Sequence, residues 1–216
     1  MKYKAVLFDL DGTLADSVGD LTTTMNQALS SFGKPAISRD YCRRLLGTGL
    51  RHFCEHSLPE SDRHLTDELM SRFQVLYRKN CHNETVPFPG MAELVKELGA
   101  RGVKIAVVTN KNEDISTEIV ESLFGAGTFS VIRGAHNGIG CKPQPEPTLG
   151  VLEILGVTTE EALFVGDGEA DVEVARNCGI KSVWVSWGLR SLEELGGLLP
   201  DIIVHSAEEI LAITEA

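Results

Sequence analysis

Residues 5–13 read Ala-Val-Leu-Phe-Asp-Leu-Asp-Gly-Thr, and this stretch decides the fold. Its first four residues form an apolar run of the kind found in a strand that is buried on both faces of a sheet. Asp9 and Asp11 follow two residues apart, so their side chains leave the strand end on the same face. Two carboxylates this close repel each other. Proteins usually relieve this repulsion by binding a cation or by raising the pKa of one of the two carboxylates.

Three further segments place polar side chains after an apolar strand or a turn. They are Val-Val-Thr-Asn at 107–110, Lys-Pro at 142–143, and Val-Gly-Asp-Gly-Glu-Ala-Asp at 165–171. Ligands of an open α/β sheet bind beyond the carboxyl ends of its strands. We therefore expect the polar residues of all four segments to meet on one rim of a sheet.

Short apolar strands alternate with amphipathic helices from about residue 88 onward, which predicts a parallel sheet with helices on both faces. The predicted strands are 4–8, 103–108, 129–132, 162–165, 182–185 and 202–204, and the predicted helices 91–101, 114–123, 147–155, 171–178 and 207–213. Helical periodicity without comparable strands appears at 21–32, 39–46, 50–57 and 65–80. The expected domains are an α/β core of residues 1–15 and 88–216 and a helical insertion of residues 16–87.

The four segments, in this order, resemble the haloacid dehalogenase-like superfamily and, within it, the phosphoglycolate phosphatase-like subgroup. The subgroup resemblance is carried by Asp-Leu-Asp-Gly-Thr-Leu-Ala-Asp-Ser at 9–17, Thr-Asn-Lys at 109–111 and Lys-Pro-Gln-Pro at 142–145. It implies a Rossmann-like α/β core with an inserted α-helical cap. It also implies a Mg2+-dependent phosphatase that hydrolyses a small, phosphoglycolate-like phosphate monoester through an aspartyl-phosphate intermediate.

The resemblance also implies the catalytic roles. Asp9 is the expected nucleophile, Asp11 the acid and base, and Lys142 the cation between Asp9 and the phosphoryl group. The expected metal residues are Asp9, Asp11 through its backbone carbonyl, Asp167, and Asp171, which would orient the ligand shell. The spacing of the two aspartates alone leaves open which one attacks. The structural alternatives are an Asp turn, a surface lysine and an acid in the first turn of a helix.

Four residues are expected to bind the phosphate group. Gly12 and Thr13 would turn the chain sharply and present backbone N–H groups to it. Thr109 and Asn110 offer a hydroxyl and an amide at a strand end, and a helix N-cap is the alternative role for either residue.

Two parts of the site are less defined by the sequence. Arg44, which precedes a Gly-Thr-Gly turn, is the expected substrate-binding residue of the cap, because Arg binds carboxylate or phosphate in a bidentate way. A surface arginine is the alternative. Gly168 stands where the family more often has Ser or Thr, which removes one hydroxyl and loosens the backbone.

The bulk composition limits the partners. The chain has 216 residues, with 20 Lys and Arg against 31 Asp and Glu, and a net charge of −11 with neutral His. This acidic balance argues against nucleic acid and, more weakly, against anionic membranes as partners. The resemblance implies a small phosphate ester as the partner. Five cysteines without a Cys-x-x-Cys pair, and no apolar leader, are typical of a cytoplasmic protein with reduced thiols. The oligomeric state is not indicated.

Three alternative functions share this fold. A sugar phosphomutase of the β-phosphoglucomutase type has the same core residues and differs in its cap contacts. A dehalogenase would need neither a metal nor a second carboxylate, so Asp11 and Asp167 argue against it. A non-catalytic binding or regulatory protein is the alternative of another class, because a fold alone does not give a function.

Overall fold

The structure of the protein is a computed structural model that describes residues 2–136 and 142–215. In chain order, its strands are β1 (Ala5–Phe8), β2 (Ala15–Asp16), β3 (Val86–Pro87), β4 (Lys104–Asn112), β5 (Val131–Ala135), β6 (Ala162–Gly166), β7 (Lys181–Val185) and β8 (Ile202–Val204). Within the described residues, six of them form a parallel sheet in the order β5-β4-β1-β6-β7-β8. Cys141, one of the five cysteines, lies outside the described residues.

Some helices cover the two faces of this sheet, and others form an insertion. The α-helices of the described residues are α1 (Val18–Ser31), α2 (Arg39–Leu45), α3 (Leu50–Ser57), α4 (Thr66–Asn80), α5 (Met91–Ala100), α6 (Glu113–Phe124), α7 (Glu146–Leu155), α8 (Glu169–Cys178) and α9 (Ala207–Glu215). Helices α7 and α8 pack on one face, and α5, α6 and α9 pack on the other. The predicted α/β fold, a Rossmann-like parallel sheet between layers of helices, is therefore confirmed. No helix in the described ranges is both long and apolar enough to cross a bilayer.

Strand β1 occupies the middle of the sheet, hydrogen-bonded to β4 on one side and to β6 on the other. Its side chains alternate between two hydrophobic cores, with Ala5 and Leu7 on one face and Val6 and Phe8 on the other. All four are buried, as the apolar run predicts. Because β1 is central, Asp9 leaves the sheet at the middle of its carboxyl rim.

The inserted segment is helical. Helices α1 to α4 lie between β2 and β3, which pair antiparallel. Asp20 of α1 is 1% exposed and accepts hydrogen bonds from the backbone amides of Glu84, at 3.0 Å, and Thr85, at 2.9 Å, and from the Thr85 hydroxyl at 2.7 Å. One carboxylate thus ties the start of the insertion to its end. The domain boundaries at 15/16 and 87/88 stay a prediction, and we call residues 16–87 the cap.

Strand β4 differs from its prediction in a way that matters for the site. It continues to Asn112 instead of ending at Val108, because Asn112 pairs with Ala135 of β5 after a shift of register. Thr109 and Asn110 therefore lie inside the strand rather than after it. The polar side chains of this segment concealed the strand, since pairing with β5 overrides their low strand propensity.

Strand β5 was placed too early by the sequence. It covers Val131–Ala135 rather than 129–132. The ring of Phe129 packs edge-on against Phe8, with 6.5 Å between ring centroids, so this residue contributes to the core ahead of the strand. The other elements lie where they were predicted, with their ends shifted by a few residues.

Candidate active site

The rim of the sheet brings Asp9 and Lys142 together. Asp9 follows β1, and its backbone amide donates a hydrogen bond of 2.9 Å to the carbonyl of Val165 in β6. The Nζ atom of Lys142 lies 2.8 Å from Oδ1 of Asp9 and 2.6 Å from Oδ1 of Asp171. Burial alone would lower the pKa of Lys142, but the two carboxylates raise it above its ordinary value. The charged Lys142 therefore bridges Asp9 and Asp171, which belong to two different sequence segments.

Three buried carboxylates form a compact cluster. Oxygen atoms of Asp9, Asp167 and Asp171 all lie within 4.8 Å of one another. Burial raises the pKa of Asp167 well above its usual range, and the neighbouring Asp171 and Asp9 add to this; burial also raises the pKa of Asp9, against the effect of Lys142. Oδ1 of Asp9 has its ion pair with Lys142 but no aligned hydrogen bond among the described residues. Buried carboxylates that cluster and repel one another have the ligand chemistry of a divalent metal site.

Asp167 is held in place on three sides. The hydroxyl of Thr13 donates to its Oδ1 at 3.0 Å, and the amide of Leu189 donates to its Oδ2 at 2.7 Å. The indole of Trp184 donates to its backbone carbonyl at 2.8 Å. A Cβ at Gly188 would lie 2.1 Å from the Cβ of Asp167, so only glycine fits at that position. The carboxylate consequently has a fixed orientation toward the cluster.

Gly12 and Thr13 act differently from the prediction. The N–H of Gly12 donates to the carbonyl of Ala15 at 3.0 Å, and that of Thr13 to the carbonyl of Leu10 at 3.3 Å. The turn itself therefore uses both N–H groups, which argues against the expectation that they bind a phosphate group. Gly12 has φ 87°, and a Cβ there would lie 2.5 Å from Oδ2 of Asp167, so the tight turn makes room for that carboxylate.

Asp171 orders the loop that precedes α8. Its Oδ2 accepts hydrogen bonds from the amides of Asp167, at 3.1 Å, and Gly168, at 2.9 Å, while its Oδ1 accepts from Lys142. The residue thus combines the helix-start position that was its structural alternative with membership of the acidic cluster. Asp171 thus links the segment at Asp167, which follows β6, to Lys142 of another loop.

Asn110 fixes the backbone of Lys142. Its Oδ1 accepts from the amide of Lys142 at 2.7 Å, and its Nδ2 donates to the carbonyl of Lys142 at 3.1 Å and to that of Gly47 in the cap at 2.8 Å. Both donors of this amide are in use, which the sequence did not suggest. Thr109 is buried, and its hydroxyl accepts from the amide of Lys111 at 3.3 Å.

Asp11 lies apart from the acidic cluster. Its carboxylate forms an ion pair with Lys111, whose Nζ is 2.8 Å from Oδ1 and 2.9 Å from Oδ2, and it accepts a hydrogen bond from Ser17. A role of this carboxylate as a metal ligand does not fit, which leaves the backbone carbonyl implied by the resemblance. The sequence left open whether Lys111 adds charge to the site or is solvated; its side chain is only 9% exposed. The signal for a site role was its period-two spacing from Thr109, which an extended β4 would place on the same face.

Arg44 is not brought to the site. It is exposed, its guanidinium lies 5.9 Å from the centroid of the Tyr41 ring, and it lines neither cleft described below. The structure thus does not bring Arg44 to either cleft, because α2 turns this residue outward, and its role in binding substrate stays a prediction.

Arg190, a residue of the core, contacts the cap. Its guanidinium donates to the carbonyls of Arg43 at 3.0 Å, Arg44 at 3.1 Å and Leu46 at 2.8 Å, at the carboxyl end of α2. A side-chain ion pair between Arg43 and Glu194, at 3.3 Å, adds a second bridge between cap and core. No local pattern in the sequence distinguishes Arg190 from a surface arginine.

Two adjoining clefts open at these residues. Their volumes are about 560 Å³ and about 440 Å³. Both are lined by Asp9, Asp11, Leu46, Gly47 and Asn110. The larger cleft extends from Lys111 beneath the cap, and the smaller one contains Lys142, Asp167 and Asp171. One end of a ligand can therefore lie at the acidic cluster in the smaller cleft while the rest of the ligand occupies the larger cleft.

Comparison with known proteins agrees with this geometry. A family model described as haloacid dehalogenase-like hydrolase matches residues 6–185. The phosphoglycolate phosphatase of Aquifex aeolicus (strain VF5) is 32% identical over 212 residues, which cover 98% of this chain and 97% of that protein. The phosphoglycolate phosphatase of Agrobacterium fabrum (strain C58) is 31% identical, with 97% and 90% covered.

Solved structures extend the similarity to the whole fold. A protein from Lactobacillus delbrueckii subsp. bulgaricus, provisionally assigned as a phosphoglycolate phosphatase, has a TM-score of 0.92 at 31% identity over 99% of both chains. CbbY from Rhodobacter sphaeroides, solved in complex with phosphate, has a TM-score of 0.77 at 25% identity over 99% and 100%. The chain therefore belongs to the haloacid dehalogenase-like hydrolases, groups with their phosphoglycolate phosphatase-like members, and is a phosphoric monoester hydrolase.

Proposed function

We propose that this hydrolase is a Mg2+-dependent phosphatase that cleaves a small phosphate monoester through an aspartyl-phosphate intermediate on Asp9. The observation that carries the proposal is the position of the Asp9 carboxylate. It lies at the centre of the rim, next to Lys142, within the acidic cluster, and with Oδ1 lacking an aligned hydrogen bond. A carboxylate so placed can attack phosphorus with a cation beside it to offset the negative charge.

In the first half of the reaction, an Asp9 oxygen forms a bond to phosphorus and the bond from phosphorus to the substrate's alkoxide oxygen breaks. Asp11, which lines both clefts, takes up a proton when its ion pair with Lys111 opens and then gives that proton to the alkoxide. In the second half, Asp11 takes a proton from a water molecule that attacks the phosphorus, and Asp9 leaves as a free carboxylate. Lys142 offsets negative charge around Asp9 throughout.

The residues present fit a Mg2+ ion. Asp9 and Asp167 would bind it with the backbone carbonyl of Asp11, and Asp171 would orient the ligand shell while holding Lys142. Mg2+ prefers few carboxylates together with water and phosphate oxygens, which this donor set leaves room for. When bound, the ion supplies charge neutralisation for the phosphoryl group and for the repelling carboxylates.

Phosphoglycolate is the first substrate to test, because relatives with coverage of nearly the whole chain carry that name. Thr109 and Asn110, at the rim, are the proposed contacts of the phosphate group, and the complex of the similar CbbY with phosphate supports a phosphate site on this fold. Because both donors of Asn110 already bind carbonyls, the Thr109 hydroxyl is the better donor.

Asp9→Asn tests the proposal most directly. With Mg2+ present, the wild type should release phosphate from p-nitrophenyl phosphate and from phosphoglycolate, and the variant should lose at least about a thousandfold in kcat. The exposed Asp40→Asn is the matched control and should keep wild-type turnover. Rapid acid quench should trap a hydroxylamine-sensitive phosphoprotein in the wild type only. Undiminished turnover by Asp9→Asn would rule out Asp9 as the nucleophile, and a wild type without metal-dependent release would remove the enzymatic proposal.

A further inference from the structure

The larger cleft has mostly apolar walls. It begins at Asp11 and Lys111 and runs between β4 and α6 of the core and α3 and α4 of the cap. Its apolar lining includes Leu21, Leu46, Leu50, Phe53, Phe73 and Ile115. Its volume of about 560 Å³ falls within the range of pockets that enclose a drug-sized molecule. A two-carbon acid would leave most of these walls without contact.

The charges of the cleft give little support for an acidic leaving group. Lys111 is its buried cation, and that ammonium already binds both oxygens of Asp11. Arg78 is exposed and lies 3.8 Å from Asp114, and Lys79 is exposed at the mouth. Within the described lining, therefore, no guanidinium is available inside the cleft to bind a carboxylate. Moving a carboxylate among apolar walls without such a partner is unfavourable.

Tyr77 adds one polar group to these walls. The side chain lines the cleft and is 4% exposed, and Lys111 Nζ lies 4.8 Å from its ring centroid. Its hydroxyl is enclosed by protein and interacts with the Lys111 side chain, which helps to raise the pKa of that lysine, so it offers no free hydrogen-bonding group to a ligand.

From these observations, and resting on the proposed phosphatase function, we propose that the alcohol leaving group of the substrate has an apolar body that fills the larger cleft. The phosphate end would lie at Asp9, and the apolar body would extend past Asp11 beneath the cap. The preferred substrate class is thus a monoester of a medium-sized, mainly apolar alcohol rather than of a two-carbon acid.

A homologous series of alkyl phosphates tests the apolar body. Ethyl, n-butyl and n-hexyl phosphate release alcohols of nearly equal acidity, so differences in rate report contacts with the cleft. We expect kcat/KM to rise by about fourfold for each added methylene, the factor equivalent to burying one methylene. We also expect n-hexyl phosphate to exceed phosphoglycolate. A flat or falling series, or a preference for phosphoglycolate, would overturn the inference while the phosphatase activity stands. Absence of Mg2+-dependent release from every ester would instead overturn the proposed function.

Two variants locate the effect in the cleft. Leu50→Trp places a larger side chain in the lining and should flatten the chain-length series. The same substitution at Leu199, which is 75% exposed and outside the lining, should leave the series as steep as in the wild type. An unchanged slope in Leu50→Trp, with circular dichroism showing a folded protein, would contradict the assignment of the cleft.

Discussion

Lys111 binds both carboxylate oxygens of Asp11, with its Nζ 2.8 Å from Oδ1 and 2.9 Å from Oδ2. Burial alone would lower the pKa of Lys111, but Asp11 raises it above its ordinary value, so the lysine is charged at neutral pH. The proposed acid and base is therefore oriented by a buried cation, and Ser17 donates to the same carboxylate.

Removing this cation should impair both stability and catalysis. Lys111→Met leaves Asp11 partly buried without its ion-pair partner, which should cost about 3 kcal/mol in the free energy of unfolding and at least about tenfold in kcat. Urea unfolding and steady-state kinetics measure the two effects. The exposed Lys96→Met should change neither. If Lys111→Met retained wild-type kcat, the ion pair would have no part in turnover.

The pH dependence of this stability difference has a defined sign. The folded-state pKa of Lys111 lies above the ordinary 10.5, so its contribution is fully present below pH 10.5 and is lost as pH rises through the folded value. The unfolding free energies of the wild type and Lys111→Met should therefore differ by a constant amount from about pH 6 to about pH 9. A difference that shrinks steadily across that interval would contradict the assigned ion pair.

Mg2+ should stabilise the wild type through Asp167. At a metal concentration of about 100 times Kd, the expected gain is about 2.7 kcal/mol, or about 5–10 °C in Tm for a chain of this size. Chelation with EDTA should reverse it. Asp167→Ala should show little or no shift on adding Mg2+, because a ligand of the cluster is missing. Equal shifts in the wild type and the variant would place the metal elsewhere.

Arg190→Met should loosen the cap from the core. The substitution removes the donors to the carbonyls of Arg43, Arg44 and Leu46. Trypsin should then cleave faster after Arg43 or Arg44, and kcat/KM should fall by about tenfold because the cleft is assembled less often. Arg190→Lys should be intermediate, since one ammonium cannot reproduce the planar fork.

The control for this variant is Arg72→Met, which removes an exposed arginine of α4. It should keep the wild-type rates of proteolysis and turnover. Equal tryptic resistance of Arg190→Met and the wild type would show that the contacts at the end of α2 do not hold the cap.

Gly168→Ser should stabilise the protein. Gly168 is the N-cap of α8, its φ of −116° suits any residue, and the nearest atom to a Cβ there is Oδ2 of Asp171 at 3.6 Å. A serine can cap the helix, and it has less backbone freedom than glycine in the unfolded chain. The substitution should therefore add about 0.5–1 kcal/mol to the free energy of unfolding, measured by thermal unfolding. Gly166→Ser is the contrasting variant and should destabilise, since its Cβ would lie 2.3 Å from the Cβ of Asp171.

The sequence predicted the centre of the site because that information is local. Continuous apolar runs predicted buried parallel strands. Because ligands of such a sheet bind at the carboxyl ends of its strands, the sequence also predicted that Asp9, Lys142, Asp167 and Asp171 share one rim. The ion pairs of Lys142 with Asp9 and Asp171 agree with that expectation.

The parts that were missed depend on contacts far apart in the chain. Lys111 is buried because β4 extends along β5 and because the cap covers it with Tyr77, and neither condition is visible near residue 111. Arg190 and Arg44 look alike in the sequence, yet one bonds to the cap and the other faces solvent. Which of two arginines reaches across an interface is decided by tertiary packing rather than by propensity.

The carboxylate of Asp20 has a consequence for how this enzyme could change its choice of substrate. By bonding to Glu84 and Thr85, next to the paired β2 and β3, it brings both ends of the inserted segment to a single attachment point. Recombination could therefore exchange the whole cap without disrupting the parallel sheet. Chimeras joined at this point should inherit the donor's leaving-group preference and retain the recipient's chemistry.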